Sequence, residues 1–228
     1  MKSQTGKKGS QMDMIISFTI FIASLMFIYF IFTSLVYKPN TARDSLGTVE
    51  NNVIQAVSSH VWVLRFYNSS NSGACFEVPV PENISNAETS GSGDSGPVYS
   101  EISGGNIYFN GTGFMKIYYS DGVENVYPFS GSGCTLVTPD SERTEDIITQ
   151  KNVASLMSNF SGNYIQTKNM LGVPSSMDLN LKFEYSNGTS VGGSVPVPDT
   201  NVYSGLLNVD YLSYNGSYET GSLQVEIW

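Results

Sequence analysis

The residues with the most versatile chemistry are scarce in this sequence, which has one histidine, His60, and two cysteines, Cys75 and Cys134. A histidine with no histidine or cysteine nearby does not supply the usual ligand set of a zinc site. Ser–His or Cys–His catalysis would depend on His60 alone. No phosphate-binding loop or nucleophile elbow is present, and the order of the acids singles out no pair for hydrolysis. We therefore interpret His60 as structural and predict a protein that is not an enzyme and uses no metal or cofactor.

The two cysteines follow a hydrophobic segment that directs export, and disulfides persist outside the cytoplasm. A single pair has only one connectivity, so the sequence predicts a Cys75–Cys134 disulfide. Two buried thiols on neighbouring strands are the alternative.

Asn-x-Ser/Thr triplets without a central proline occur six times, and in an exported chain such triplets are acceptors for N-glycosylation on exposed loops. A chain rich in Asn, Ser and Gly also produces these triplets by chance, and several coincide with Asn-Gly turns. We expect glycans at some of the six asparagines: Asn68, Asn83, Asn110, Asn159, Asn187 and Asn215.

Residues 14–37 form an uncharged segment without proline or glycine. As a helix it would be about 36 Å long, which exceeds a hydrocarbon core of about 30 Å. Its apolar residues surround the whole helix, unlike the single apolar stripe of a soluble amphipathic helix. It is also too long for the apolar region of an ordinary cleaved signal, and no small-residue cleavage site follows it. The segment is therefore predicted to span the membrane and to remain on the mature protein.

Charge is distributed unevenly about this segment. Three of the eleven bases precede it, whereas nineteen of the twenty acids follow Tyr37. Short basic flanks stay in the cytoplasm, which predicts a cytoplasmic N-terminus and an extracellular C-terminal domain. The acidity of that domain argues against nucleic acid as a partner, because nucleic acid requires a basic surface.

The start of the chain resembles the leader of archaeal type IV pilin-like proteins. The resemblance covers about thirty residues. They comprise Lys7-Lys8-Gly9-Ser10, a short polar stretch, the acid Asp13 and the long apolar helix. In that family a prepilin-type peptidase cuts on the cytoplasmic side after the basic-glycine motif, and the retained helices pack into a filament core. The resemblance implies the same processing and the same self-association here.

The acid of this leader departs from the family pattern, which has glutamate at the fifth mature position. Cleavage after Gly9 makes Asp13 the fourth residue, whereas cleavage after Ser10 makes Gln11 the first residue and Asp13 the third. A carboxylate at the edge of an apolar helix is costly unless it is paired. Either Asp13 pairs with the new α-amino group of a neighbouring subunit, or it lies hydrated among lipid headgroups.

The rest of the chain changes from helical to β periodicity. Leu46, Val49, Val53 and Val57 follow a helical spacing and predict an amphipathic helix over 42–58. We expect strands from residue 61 onward, with a low-complexity loop at 83–97 and a meander of short antiparallel strands through 98–138. The remaining predicted strands are 178–185, 189–197, 201–213 and 217–228, with Asn-Gly turns between the members of each pair.

Residues 139–172 interrupt the β pattern. Pro139-Asp140-Ser141 and the acids that follow predict a helix of about four turns that starts there. A shorter helix is expected over 163–171, ending at Gly172. The predicted fold class is α+β, mainly β: a long N-terminal helix and then an antiparallel, sandwich-like extracellular domain. The predicted boundaries are a basic leader at 1–9, the hydrophobic helix at 10–37, an amphipathic stalk at 38–59 and a β-rich head at 60–228.

These features predict a structural subunit, major or minor, of an archaeal type IV pilus-like surface filament. Its partners would be the membrane, the prepilin-type peptidase and other copies of the chain, with adhesion as a further role. The alternative is a single-pass surface protein whose β domain binds glycan or another surface-layer protein, because tyrosine faces suit wet interfaces. Tyrosine that alternates with Thr and Val is equally typical of ordinary strands.

Overall fold

The structure is a computed structural model, and it describes residues 7–36, 41–69, 75–129, 131, 133–193, 195–196 and 201–228. Side chains are described for 14–31 and, within those ranges, from residue 43 onward. Two compact units are distinguished, Met1–Asp44 and Ser45–Trp228. The fold is mainly β, with an N-terminal apolar helix and a curled sheet.

Four helices are present in the described part of the chain. Helix α1 (Lys7–Val36) contains residues 14–36 of the predicted hydrophobic segment, whose last residue lies outside the described residues, and α2 (Thr41–Val57) matches the predicted amphipathic helix. Val49, Val53 and Val57 of α2 are buried, and the Asn52 side chain donates a hydrogen bond to the carbonyl of Leu171 at 2.9 Å. Helices α3 (Gln150–Gly162) and α4 (Tyr164–Met170) follow in the last third of the chain.

Thirteen strands form two sheets within the described residues. The nine-stranded sheet has the order β11-β10-β13-β12-β9-β1-β7-β3-β4, and the four-stranded sheet has the order β5-β6-β2-β8. The strands are β1 (Ser58–Asn68), β2 (Cys75–Pro79), β3 (Glu88–Gly93), β4 (Gly96–Pro97), β5 (Ser100–Ser103), β6 (Asn106–Asn110), β7 (Gly113–Ser120), β8 (Thr135–Leu136), β9 (Ser141–Thr149), β10 (Leu179–Glu184), β11 (Ser190–Gly192), β12 (Tyr203–Leu212) and β13 (Tyr218–Ile227).

One hydrophobic cluster joins the two sheets. The nine-stranded sheet contributes apolar side chains from β1 and β7, and the four-stranded sheet contributes side chains from β2 and β6. Its buried members are Leu64, Phe66, Val78, Val98, Ile107, Phe109, Met115, Ile117 and Tyr119. The alternation of buried and half-buried residues along β6 shows that only one face of the four-stranded sheet enters this core.

The other half of the nine-stranded sheet has its own buried side chains. Leu179, Leu181 and Phe183 alternate along β10, and Leu223, Val225 and Ile227 alternate along β13. Helix α3 contacts β10 and β11 and buries Val153, Leu156, Met157 and Phe160. The two halves meet where β12 pairs with β9 in parallel through Tyr211↔Ile148 and Leu212↔Thr149.

The predicted start of the first head helix at Pro139 is wrong. Ser141–Thr149 is strand β9, which pairs with β1 from Ser58↔Ile148 to Arg65↔Ser141. The helix begins only at Gln150, where the Thr149 side chain accepts a hydrogen bond from the Asn152 amide at 3.3 Å. Pairing along the whole of β9 outweighs the local preference of its acids for a helix N-terminus.

The predicted loop at 83–97 is also wrong, because it contains β3 and β4. Strand β3 pairs with β7 from Glu88↔Ser120 to Gly93↔Met115. A Cβ on Gly91 would lie 2.8 Å from the Cβ of Val98 and 2.9 Å from the Cδ1 of Ile117. The small residues of this segment therefore permit close packing, which composition alone does not distinguish from a loop.

The predicted meander is replaced by strands that alternate between the sheets. Gly104 and Gly105 form a hairpin turn between β5 and β6 with φ of 59° and 84°, but β6 and β7 belong to different sheets. Within residues 125–129 of the predicted meander, the structure has only an isolated bridge between Pro128 and Ser100. Within the strand predicted at 189–197, the described residues form a strand only over Ser190–Gly192.

Candidate functional surfaces

The first candidate surface is the apolar side of α1, which extends all the way round the helix. Met14–Ile31 is long and apolar enough to cross a membrane. Large side chains on different sides of the helix are exposed, including Phe18 at 65%, Phe27 at 68% and Phe30 at 69%. The hydroxyl of Thr19 donates to the carbonyl of Ile15 at 2.8 Å, so this polar group is satisfied within the helix. An apolar surface of this kind requires lipid or protein to cover it.

The predicted processing residues lie at the beginning of this helix. Lys7, Lys8, Gly9 and Ser10 are the first four residues of α1, and Asp13 lies one turn further on. Their side chains lie outside the described part of the structure, so the pairing of Asp13 stays a prediction. Asp13 directly precedes Met14, the first residue of the membrane-spanning candidate.

The predicted disulfide is present. Cys75 opens β2, and Cys134 immediately precedes β8, which pairs in parallel with β2 through Phe76↔Thr135. The bridge closes a separation of 59 residues and joins Cα atoms 4.6 Å apart. It therefore connects the middle of the four-stranded sheet to the segment that forms its edge.

The six predicted glycosylation sites divide by exposure. Asn83, Asn159 and Asn187 are exposed, whereas the other three asparagines, Asn68, Asn110 and Asn215, are half-buried. The Asn187 side-chain oxygen accepts hydrogen bonds from the amide and hydroxyl of Thr189 at 2.9 and 2.7 Å. These bonds use the side-chain oxygen of Asn187 and none involves its side-chain nitrogen, the atom that a glycan would modify.

Asn215 lies in a different environment, although its side-chain oxygen accepts a similar bond from the Ser217 amide at 2.9 Å. Its turn packs against β3, because a Cβ on Gly216 would lie 2.6 Å from the carbonyl carbon of Gly91. The Ser90 hydroxyl donates to the carbonyl of Tyr214 at 3.1 Å. The β12–β13 turn is therefore packed against β3, and we expect it to be a poorer acceptor than the exposed turn at Asn187.

His60 faces a carboxylate across two strands. It pairs in register with Asp146, and its Nδ1 lies 3.0 Å from the Asp146 Oδ1 in an exposed position. Among the residues described by the structure, no group of three His, Cys, Asp or Glu side chains is placed to hold a metal ion. The His60–Asp146 contact is a cross-strand pair of the kind that stabilises sheets.

A second candidate surface was not identified from the sequence. On the outer face of the four-stranded sheet, Tyr108 is the direct neighbour of Glu77 on one side and of Glu101 on the other. A cleft of about 670 Å³ opens beside this row, and we call it the Glu77–Tyr108–Glu101 cleft. Its other lining residues are Ser103, Phe129, Gly131, Gly133 and Cys134. The lining residues are up to 57 positions apart in the chain; the strand registers bring Glu77, Tyr108 and Glu101 together, and the Cys75–Cys134 bridge brings in the segment around Cys134.

A third cluster of polar groups surrounds Glu219. Its carboxylate accepts a hydrogen bond from the Tyr211 hydroxyl at 2.9 Å and one from Ser217 at 3.2 Å, and Ser186 is a further donor. These bonds, led by that of Ser186, lower the pKa of Glu219. The cluster links the β10–β11 turn to the β12–β13 hairpin, and its hydrogen bonds are satisfied among its own members, as in a structural network.

Searches of protein-family models, curated proteins and solved structures found no match to this chain.

Proposed function

We propose that this chain is a structural subunit, major or minor, of an archaeal type IV pilus-like surface filament. The observation that carries the proposal is the long, uniformly apolar helix α1, whose described side chains at 14–31 are all exposed. The unit Ser45–Trp228 has buried hydrophobic clusters of its own. Covering α1 is therefore a separate requirement, which the membrane meets before assembly and neighbouring copies meet within the filament.

Burial of the helix is a sufficient driving force for assembly outside the membrane. Transferring a large apolar side chain from water to an apolar core contributes about 1.5–3 kcal/mol. Thirteen or so such side chains, counted roughly from residues 14–31, would together exceed the association cost of about 4–15 kcal/mol. Within lipid the same contacts give no hydrophobic gain, so small residues such as Ala23 and Ser24 would govern close approach there. Helix α1 would therefore act as an anchor while it lies in lipid and as an assembly element once it has left the membrane.

The leader supports processing on the cytoplasmic side. Lys7 and Lys8 precede the apolar run and favour a cytoplasmic N-terminus. A prepilin-type peptidase would cut after Gly9 or Ser10 and leave a new α-amino group near Asp13. In the bundle, that amino group on one subunit would neutralise Asp13 on its neighbour, because a buried unpaired carboxylate costs several kcal/mol.

The features of the head support an extracellular location. The Cys75–Cys134 bridge suits an oxidising compartment, and three of the six glycosylation triplets have exposed asparagines. We further propose that the two sheets form sandwich-like layers, which is supported by the cluster shared between β1, β7, β2 and β6. The filament would thus carry acidic, glycosylated heads around a helical core.

The mass of the mature N-terminus tests this proposal. Membrane fractions from the native host are digested, and the N-terminal peptide is identified by mass spectrometry. A first residue of Ser10 or Gln11 supports processing by the peptidase. A protein that retains Met1 or Lys2 contradicts the filament proposal, and the single-pass surface protein then becomes the better interpretation.

A further inference from the structure

The Glu77–Tyr108–Glu101 cleft has the composition of a ligand site and not of a packed surface. Val78, Ile107 and Phe109 point into the hydrophobic core, so alternation along the strands places Glu77, Tyr108 and Glu101 on the opposite face. Adjacent strands are about 4.8 Å apart. The two glutamates are therefore separated by about 10 Å at their Cα atoms, with the tyrosine ring between them.

The polar groups of this row have no protein partner among the residues that the structure describes. No hydrogen bond or ion pair among the described residues uses the carboxylate of Glu77, the carboxylate of Glu101 or the hydroxyl of Tyr108. Elsewhere in the head, acids such as Asp178 and Glu184 are paired with lysines at 3.3 and 3.6 Å. The row is half-buried, so each of these groups is accessible from the cleft and has capacity for a ligand.

One wall of the cleft is fixed by the disulfide. A Cβ on Gly131 would lie 2.9 Å from the sulfur of Cys75 and would also clash with the ring of Phe129. Gly131 therefore lies close to the bridge and to the ring of Phe129, and the bridge begins at Cys75 on β2, the strand that carries Glu77. The disulfide thus fixes the Cys134 side of the cleft relative to the strand of Glu77.

We propose that the Glu77–Tyr108–Glu101 cleft binds a neutral sugar residue of a glycan. An aromatic ring offers an apolar face with polar groups at its edges, which suits the C–H face of a pyranose. Carboxylates are acceptors only, and they form hydrogen bonds to hydroxyl donors that are stronger than those of neutral acceptors. The placement of one acceptor on each side of the ring matches a ligand that has hydroxyl groups along both of its edges.

The dimensions favour a sugar over a cation. A cleft of about 670 Å³ is within the range of about 300–1,000 Å³ that small-molecule sites occupy. A single metal ion needs much less space than this cleft, and among the described residues no group of three His, Cys, Asp or Glu side chains is placed to hold one. A sugar ring with several hydroxyl donors makes fuller use of the volume and of both acceptors.

The test is saturation-transfer NMR on the full chain in polyoxyethylene-ether micelles, which contain no sugar headgroup. The probes are glucose, galactose, mannose, N-acetylglucosamine and N-acetylgalactosamine, with Nα-acetyl-lysine amide as the cationic comparison. At least one sugar should bind. Tyr108→Ala should weaken its affinity about tenfold or more, which corresponds to loss of a contact of about 1.4 kcal/mol. Tyr108→Phe, which keeps the ring, should retain most of the binding.

Matched variants separate the site from general effects. The double variant Glu77→Gln/Glu101→Gln should weaken binding about tenfold, because neutral amide acceptors form hydrogen bonds about half as strong as those of carboxylates. Tyr67→Ala and Glu184→Gln change an exposed tyrosine and an acid outside the cleft and should leave the affinity unchanged.

Three results would overturn the proposal. The first is that none of the sugars binds, and the second is that sugar binding survives Tyr108→Ala. The third is that only the lysine amide binds and that its binding disappears in about 1 M salt, where the Debye length is about 3 Å. The last result would assign the acids to nonspecific cation attraction. None of these results bears on filament assembly, which depends on α1.

Discussion

At the scale of single residues, the filament proposal makes Asp13 the position at which anchoring and assembly would differ. In the membrane, a carboxylate at the end of an apolar run would be tolerated because headgroups and water are near. In a helical bundle it needs a cation, because burial without one costs several kcal/mol. The nearest cation that processing creates is the α-amino group of a neighbouring copy.

We expect Asp13→Ala to leave the protein expressed, inserted and anchored but to abolish or strongly reduce filaments. Asp13→Glu keeps the charge and should retain assembly at least in part. Membrane fractionation measures anchoring, and electron microscopy counts filaments on the same cells. Unchanged filament number and length in Asp13→Ala would show that Asp13 has no pairing role.

Glycosylation is a second property that depends on individual residues. Glycans should occur at Asn83, Asn159 and Asn187, which are exposed, if modification follows folding. Occupancy at Asn215 should be low, because its turn packs against β3. Glycopeptide mass spectrometry of the native protein measures the occupancy of each asparagine. Full occupancy at Asn215 with none at Asn187 would contradict the prediction that exposed asparagines are modified first.

At the scale of elements, the Cys75–Cys134 bridge fixes the short edge of the four-stranded sheet. Strand β8 has two residues, so its pairing with β2 supplies few hydrogen bonds of its own. Closing a loop of 59 residues restricts the unfolded chain by about 4 kcal/mol in the chain-entropy model. The double variant Cys75→Ser/Cys134→Ser should lower the free energy of unfolding by about that amount.

Denaturant unfolding followed by tryptophan fluorescence measures this difference. Reduction of the native protein is the chemical control and should shift its midpoint to that of the double variant. A midpoint that neither change moves would mean that the bridge does not stabilise the head.

Elements that are formed by residues close together in the chain can be predicted from the sequence, whereas elements that depend on distant residues cannot. Local signals were sufficient for α2, for the hairpins at Asn187-Gly188 and Asn215-Gly216, and for the alternating strands β10 and β13, since periodicity and turn residues determine them. Strand β9 was predicted as helix because its pairing with β1 involves residues about eighty positions away. Strand β3 was predicted as loop because its glycines serve close packing against Val98 and Ile117.

The functional surfaces show the same division. The apolar helix and the cysteine pair are visible in the sequence, because one is a continuous segment and the other has a single connectivity. The Glu77–Tyr108–Glu101 cleft is not visible, because its members meet only through the registers of β2, β6 and β5. Their alternation with buried residues indicates an outer face but not which strands are neighbours.

Sheet edges are short throughout the described part of the head. The outermost strands are β11 with 3 residues and β4 with 2 in one sheet, and β5 with 4 and β8 with 2 in the other. Short edge strands limit edge-to-edge pairing between heads. Assembly through the helix is therefore not in competition with extended pairing at these edges.

At the scale of the whole molecule, six tyrosines with raised pKa values should make the head sensitive to alkaline pH. Burial raises the pKa of Tyr185 to about 12, and burial also raises the pKa of Tyr118, Tyr164, Tyr211, Tyr214 and Tyr218. The tyrosines of the unfolded chain ionise near pH 10. Because the folded pKa values are higher, the stability that these groups contribute is complete below pH 10 and is lost as pH rises through the folded values.

We therefore expect the free energy of unfolding to fall steadily above about pH 10. Denaturant titrations at a series of pH values from neutral to alkaline measure it, with the tyrosinate absorbance recorded in parallel. Tyr185→Phe removes one of these groups and should reduce the slope. A free energy of unfolding that stays constant while tyrosinate forms would contradict the assignment.

The central claim concerns the whole molecule: the anchor helix joins copies of this chain into a filament. The direct measurement is to shear filaments from the surface of the native host, image them by electron microscopy and identify their subunits by mass spectrometry. The predicted result is filaments that contain this chain with an N-terminus at Ser10 or Gln11 and without the residues before it. The contradicting result is a chain that is absent from every sheared filament and remains in the membrane fraction with its leader intact.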